Sequence, residues 1–158
     1  MYIFVMRHGD AVYSSHNDEQ RPLSELGMSE SREAAKWLKE FETSTGIEIT
    51  HALVSPFLRA QQTLEQVSPL LNLQEIQNNP DIVPSGNCRL VHDFIDAYSK
   101  QQQSLAGLLL VSHMPFVSYL IDELCGQSFS RLFAAGAVVC IEYDLQQSIG
   151  CIYSDFTP

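Results

Sequence analysis

Positive charge is scarce in this sequence: nine Lys and Arg residues stand against nineteen Asp and Glu, giving a formal net charge of -10 and a pI near 4.7. That balance excludes a general phosphate-backbone binder, because nucleic acid would meet a repelling field. An anionic ligand must be drawn by a few cations gathered in one pocket, which makes each arginine position informative. Long apolar runs are also missing. The opening Met1-Tyr2-Ile3-Phe4-Val5-Met6 is too short for a signal-peptide core and has no basic leader. No stretch approaches the roughly 18 apolar residues of a membrane span. A cytoplasmic protein with no membrane contact is expected. The four cysteines, Cys88, Cys125, Cys140 and Cys151, lack C-x-x-C spacing and have apolar neighbours. Neither a zinc knuckle nor a redox motif is indicated, and buried reduced thiols are expected. No repeat, low-complexity tract or linker divides the chain, so residues 1–158 read as one domain.

What is present is an alternation of strand and helix patterns. Tyr2 to Met6 is a continuous apolar strand, and a long helix is expected from about Ser24 to Glu42, with Ala34, Ala35, Leu38 and Phe41 on one stripe. Ala52 to Val54 reads as a second strand. Ser55-Pro56 reads as an N-cap and first helical residue opening a helix through about Leu71. Residues 74–86 carry no clear pattern, whereas Leu90, Phe94, Ile95 and Tyr98 suggest a further helix. Leu108 to Val111 is the most strand-like run, and Ser112-His113-Met114-Pro115 leads into a helix ended by Gly126. Residues 137–144 and 149–153 read as a closing hairpin. This order predicts an α/β layered fold with a mostly parallel sheet, whose sites lie beyond the carboxyl ends of the strands.

Three such ends carry polar residues: Arg7-His8-Gly9, Ser55 to Arg59, and Ser112-His113. Arg59 sits on the first turn of its helix, where free peptide N–H groups and the helix dipole favour an anion. Two histidines and two arginines brought to one sheet edge supply what phosphoryl transfer needs, a nucleophile and cations around the equatorial oxygens. Arginine suits the task because its planar fork binds phosphate oxygens in pairs. Each residue alone has a plainer explanation, a structural histidine or a solvated arginine; the coincidence of four does not.

Arg7-His8-Gly9 after an N-terminal strand, Ser55-Pro56-Phe57-Leu58-Arg59-Ala60-Gln61-Gln62-Thr63, and Val111-Ser112-His113 resemble, in order and spacing, the histidine phosphatase superfamily that includes the phosphoglycerate mutases. The short length and the wording Met6-Arg7-His8-Gly9-Asp10-Ala11 and Arg21-Pro22-Leu23-Ser24 look closest to its compact phosphohistidine phosphatases. The resemblance covers nearly the whole chain and thins after about Phe129. It implies a phosphoglycerate mutase-like, three-layer α/β/α fold and a metal-independent phosphoric hydrolase without a cofactor. It also implies His8 as nucleophile and transient phosphoryl carrier, with Arg7, Arg59 and His113 holding the phosphoryl oxygens. His8 must then attack as a neutral imidazole, one ring nitrogen free and the other fixed, whereas a protonated His113 would best face the phosphate charge.

The leaving group bears on the substrate. A phosphate ester expels an alkoxide and needs a general acid, whereas phosphohistidine expels an imidazole of pKa about 6.5. Mutase-branch enzymes supply their acid from an insertion between the second arginine and the second histidine, an interval that is short here and largely filled by two helices. Asp81 is the one acid placeable near the site, but a turn role beside Pro80 is the favoured reading for it. Asp10 could orient a water or cap the following loop, Ser55 could assist the site, and Arg21 could add a phosphate or partner contact. The expected substrate is phosphohistidine on a signalling or phosphotransfer protein, acted on by a monomer. A small-phosphomonoester phosphatase or mutase, and an idle phosphoprotein-binding module, are the alternatives.

Overall fold

A computed structural model describes residues 1–13, 17–102, 105–129 and 131–158. The chain runs β1 (Tyr2–Arg7), α1 (Glu25–Thr45), β2 (Ile49–Val54), α2 (Leu58–Val67), β3 (Glu75–Asn78), α3 (Cys88–Gln101), β4 (Gly107–Ser112), α4 (Phe116–Cys125), β5 (Val138–Asp144) and β6 (Ile149–Phe156). Short 3-10 turns occupy Asp18–Gln20 and Ser68–Leu70.

The six strands form one sheet in the order β3-β2-β4-β1-β5-β6. The first four are mutually parallel, and β5 and β6 add an antiparallel edge. The strand period of two splits the core. On β1, Phe4 and Met6 point into a cluster with Ala34, Ala35 and Leu38 of α1 and Ala60 and Leu64 of α2. Ile3 and Val5 point the other way, against Val91 and Ile95 of α3 and Val117, Leu120 and Ile121 of α4. Apolar burial on both faces makes β1 and β4 continuous hydrophobic runs and gives the three-layer α/β/α arrangement.

Helix limits follow local chemistry. Ser24 caps α1 by accepting from Gly27 N–H, and Gly46 ends it in the left-handed region at φ 72°. Asn87 caps α3, and Gly126 ends α4. Three expectations need correction. Residues 74–86 contain β3, which escaped notice because Glu75-Ile76-Gln77-Asn78 is a polar, mostly exposed edge strand with no alternation to read. Helix α2 starts at Leu58, because Phe57 is still extended (φ -68°, ψ 135°) and serves as its cap residue; it yields at Ser68, where Pro69 forces a 3-10 turn. The thiols are not uniformly buried: Cys125 and Cys140 are, Cys88 is half-buried, and Cys151 lies exposed on the open face of β6. All four are free.

Candidate active site

The parallel strands β2, β4 and β1 are neighbours, so their carboxyl ends lie side by side, and the loops leaving them are stitched together. His8 N–H donates to Ser112 O at 2.9 Å, and Ser55 N–H to Val111 O at 3.1 Å. Gly9 N–H donates to the Thr63 hydroxyl of α2 at 3.1 Å, and that hydroxyl donates to Arg59 O at 2.8 Å. Gly9 has no left-handed backbone. It is needed for close approach, since a Cβ there would lie 2.3 Å from Gly27 O on α1.

A cavity of about 300 Å³ opens at this edge, lined by Arg7, His8, Asp10, Asp18, Arg21 and Arg59, with Ala11, Pro84 and Met114. His8 is 8% exposed. Its Nδ1 lies 2.7 Å from Gly9 O, and because a carbonyl can only accept, Nδ1 carries the proton. Its Nε2 then keeps a lone pair, which accepts from Arg59 Nε–H at 3.1 Å. Burial first, then Arg59, Arg7 and Arg21, push the His8 pKa down to about 4, against the opposing Gly9 bond. At neutral pH the ring is an uncharged nucleophile of defined tautomer.

Arg59, 4% exposed, occupies the first turn of α2. Its Nη1 donates to Asp18 O at 2.6 Å and its Nη2 to the Asp18 carboxylate at 3.0 Å, while the guanidinium stands 5.0 Å over the Phe57 ring. Arg7 Nη1 donates to Phe133 O at 2.5 Å, and its buried Nε has no hydrogen-bond partner among the described residues. His113 is fully buried behind the cavity wall, its ring centroid 5.0 Å from that of His8. Its Nε2 lies 2.6 Å from Ser55 Oγ. Ser55 Oγ accepts from Phe57 N–H at 3.4 Å, and its hydroxyl hydrogen has no acceptor other than Nε2 among the described residues, which puts the ring proton on Nδ1. That Nδ1 also has no partner among the described residues. Burial, then His8 and Arg59, push His113 down to about 2, so the ring is neutral rather than protonated as expected. Two buried donors, Arg7 Nε and His113 Nδ1, thus stand unsatisfied near the nucleophile.

The secondary residues divide. Asp10 lines the cavity, and its carboxylate accepts from the Ser24 hydroxyl at 2.6 Å, tying the loop to the start of α1. Arg21 lines the cavity with its donors given to Val12 O, Ala11 O and Asp18. Asp81 does not reach the cavity. It lies exposed on the turn after Pro80, its N–H bound by Asn79 Oδ1 at 2.8 Å, and Pro84 from the same segment lines the wall instead. Asp18 was not anticipated; its one sequence signal is the three-residue spacing to Arg21. Burial raises its pKa, but hydrogen bonds from Arg21 and Arg59 outweigh this and hold the carboxyl below its ordinary value. No group of His, Cys, Asp and Glu among the described residues is arranged to hold a metal ion.

A family model, the histidine phosphatase superfamily (branch 1), matches residues 3–83, a span that contains Arg7, His8 and Arg59. The chain belongs to this superfamily. Among curated histidine phosphatases, the phosphohistidine phosphatase SixA of Escherichia coli (strain K12) is 40% identical over 145 residues, 91% of this chain and 86% of that protein. A SixA homolog of Haemophilus influenzae (strain ATCC 51907 / DSM 11121 / KW20 / Rd) is 30% identical over 153 residues, 94% of this chain and 92% of its own length. A solved structure of the protein histidine phosphatase SixA complexed with tungstate superposes with a TM-score of 0.88 at 36% identity, covering 99% of this chain and 97% of the other. The sheet and flanking helices are those of this histidine phosphatase fold.

Proposed function

We propose that this histidine phosphatase is a phosphohistidine phosphatase that acts on phosphohistidine-bearing signalling or phosphotransfer proteins, with residues 1–158 as one monomeric catalytic domain. The neutral His8 ring, its Nε2 lone pair directed at Arg59, is the observation that carries the reading. His8 Nε2 attacks phosphorus in line and the substrate ring, carrying a proton on its far nitrogen, departs as neutral imidazole; water then hydrolyses the phospho-His8 intermediate and releases inorganic phosphate. Arg7 and Arg59 hold the equatorial oxygens, and His113 Nδ1 donates to one of them from the rear of the site.

Substrate choice rests on the acids. Asp18 is bound by two guanidinium groups that hold its carboxyl below the ordinary value, Asp10 is engaged by the Ser24 hydroxyl, and Asp81 stands away from the cavity. A phosphohistidine ring protonated on its far nitrogen leaves as neutral imidazole and does without such help. The interval from Arg59 to His113 is filled by α2, β3 and α3, which leaves no insertion in that interval, among the described residues, to cover the pocket against a side chain on a folded partner. A cytoplasmic setting accords with four free thiols. Among the described residues no helix is long and apolar enough to cross a membrane.

The test is a comparison of kcat/KM on a phosphohistidine-bearing transfer protein with that on a panel of sugar and glycerate phosphates at neutral pH. Preference for phosphohistidine by several orders of magnitude is expected. Equal or faster turnover of the esters would overturn the assignment in favour of a small-molecule phosphatase.

A further inference from the structure

Only one of the donors on Arg59 faces the nucleophile. Nε–H points at His8 Nε2, while both terminal nitrogens are held by Asp18, one through its peptide oxygen and the other through its carboxylate. The second carboxylate oxygen takes Arg21 Nη1 at 3.0 Å. Asp18 therefore bridges two of the three arginines that line the cavity. It does so from a surface position. Its side chain is 57% exposed against 4% for Arg59, and its single 3-10 turn, capped by Asn17, buries no side chain. A buried guanidinium is partnered by a solvent-exposed carboxylate.

A phosphoryl group transferred to His8 Nε2 has its oxygens where Arg59 Nε–H now points. Paired capture by a guanidinium uses Nε together with a terminal nitrogen. The Asp18 carboxylate holds one of the two hydrogens of Nη2 and a phosphoryl oxygen would take the other, so the two anions crowd one nitrogen, whereas Nη1 can keep its bond to the Asp18 peptide oxygen. Two anions on neighbouring hydrogens of one guanidinium repel each other in a half-buried pocket.

We propose that Asp18 sets both affinity and specificity at the phosphoryl pocket: its carboxylate holds Arg59 and Arg21 until phosphoryl oxygens take Arg59 from it, and reclaims Arg59 as inorganic phosphate departs. This rests on the phosphatase reading above and adds to it a residue outside the four core positions. Such competition weakens every phosphate ligand, but it weakens the free product most usefully, because a cage of arginines would otherwise retain inorganic phosphate and slow release. It also penalises substrates that carry a second anionic group beside the phosphate. A neutral imidazole leaving group meets no such penalty.

Calorimetric titration of the intact protein with inorganic phosphate, in wild type, Asp18→Asn and Asp18→Glu, tests the idea without turnover. Asp18→Asn is expected to bind phosphate about tenfold more tightly, since the charge that competes for Arg59 and Arg21 is removed. Asp18→Glu should stay near wild type. In turnover, Asp18→Asn should show stronger phosphate inhibition and a lower kcat without a raised KM, as release slows. Equal or weaker phosphate binding by Asp18→Asn would overturn the proposal, because that is the result of a residue that only braces Arg59. The exposed turn makes misfolding a minor concern, and melting curves of both variants check it. Failure of wild type to hydrolyse phosphohistidine would count against the proposed function instead, leaving the phosphate contrast to be judged separately.

Discussion

Arg59 Nε–H donates to His8 Nε2 at 3.1 Å, across 51 residues of sequence, so the cation that would grip the phosphoryl group also occupies the lone pair that would attack it. The contact aligns the imidazole and suppresses its protonation. It must be surrendered when phosphorus arrives, and the oxygens of the incoming group are the natural replacement partners for Nε–H.

Arg59→Lys should therefore be nearly as damaging as Arg59→Ala. Lysine keeps a charge but cannot address His8, Asp18 and phosphate oxygens from one planar fork. Both variants should lose about 10²- to 10³-fold in kcat/KM on a phosphohistidine protein, the range for removal of one preorganised transition-state donor. Near-wild-type rates for the lysine variant would show that charge alone suffices.

Ser55→Ala should act through His113. The hydroxyl lies 2.6 Å from Nε2 and fixes which ring nitrogen bears the proton. Its loss should lower kcat by about tenfold and stability by about 1–3 kcal/mol, the usual cost of an unpaired buried polar group. Steady-state kinetics and thermal melts measure the two effects, and Ser55→Thr should restore most of both.

Gly9→Ala and Gly27→Ala should each disrupt the site from the backbone. A Cβ on Gly27 would lie 2.0 Å from Asp10 O, the reciprocal of the clash at Gly9. Because the obstructing atoms are peptide groups, the loop carrying His8 must move away from α1. Activity should fall at least 10²-fold, in line with the cost of an ångström-scale misplacement of a catalytic group. Melting temperature should drop in parallel.

Acid should destabilise the fold through His8. Its pKa falls from an unfolded value near 6.5 to about 4, so between these values the unfolded chain binds more protons. The stabilising contribution of neutral His8 is complete above about pH 6.5 and is lost progressively as pH falls toward 4. His113, held down to about 2, adds in the same direction over the same window and below it. Melting temperature should decline from pH 6.5 to 4, and His8→Ala should flatten the slope. Nitrogen-detected NMR of the imidazoles should find His8 with a protonated Nδ1 and a bare Nε2 at pH 7.

The sheet and its site were legible to different depths. Strands β1 and β4 are buried on both faces and read as apolar runs, and the capped helices α1 and α4 announced their ends through Ser24 and Gly126. Strand β3 did not, because an edge strand facing water carries no apolar period. Arg7, His8, Arg59 and His113 could be grouped from their positions after successive strands, since parallel order fixes which ends adjoin. Asp18 could not, because its role depends on how an irregular loop folds back over Arg59. For Asp81 the turn reading is the one observed: its N–H is bound by Asn79 Oδ1, and Pro84 of the same segment lines the cavity instead.

The most direct test of the account is to quench a reaction with a phosphohistidine substrate carrying labelled phosphorus and map the label on the enzyme. The account predicts an acid-labile phosphoryl group on the peptide containing His8, absent in His8→Ala, a variant that should fold normally and turn over no substrate. Sustained turnover by His8→Ala, or label that resides on another residue, would contradict it.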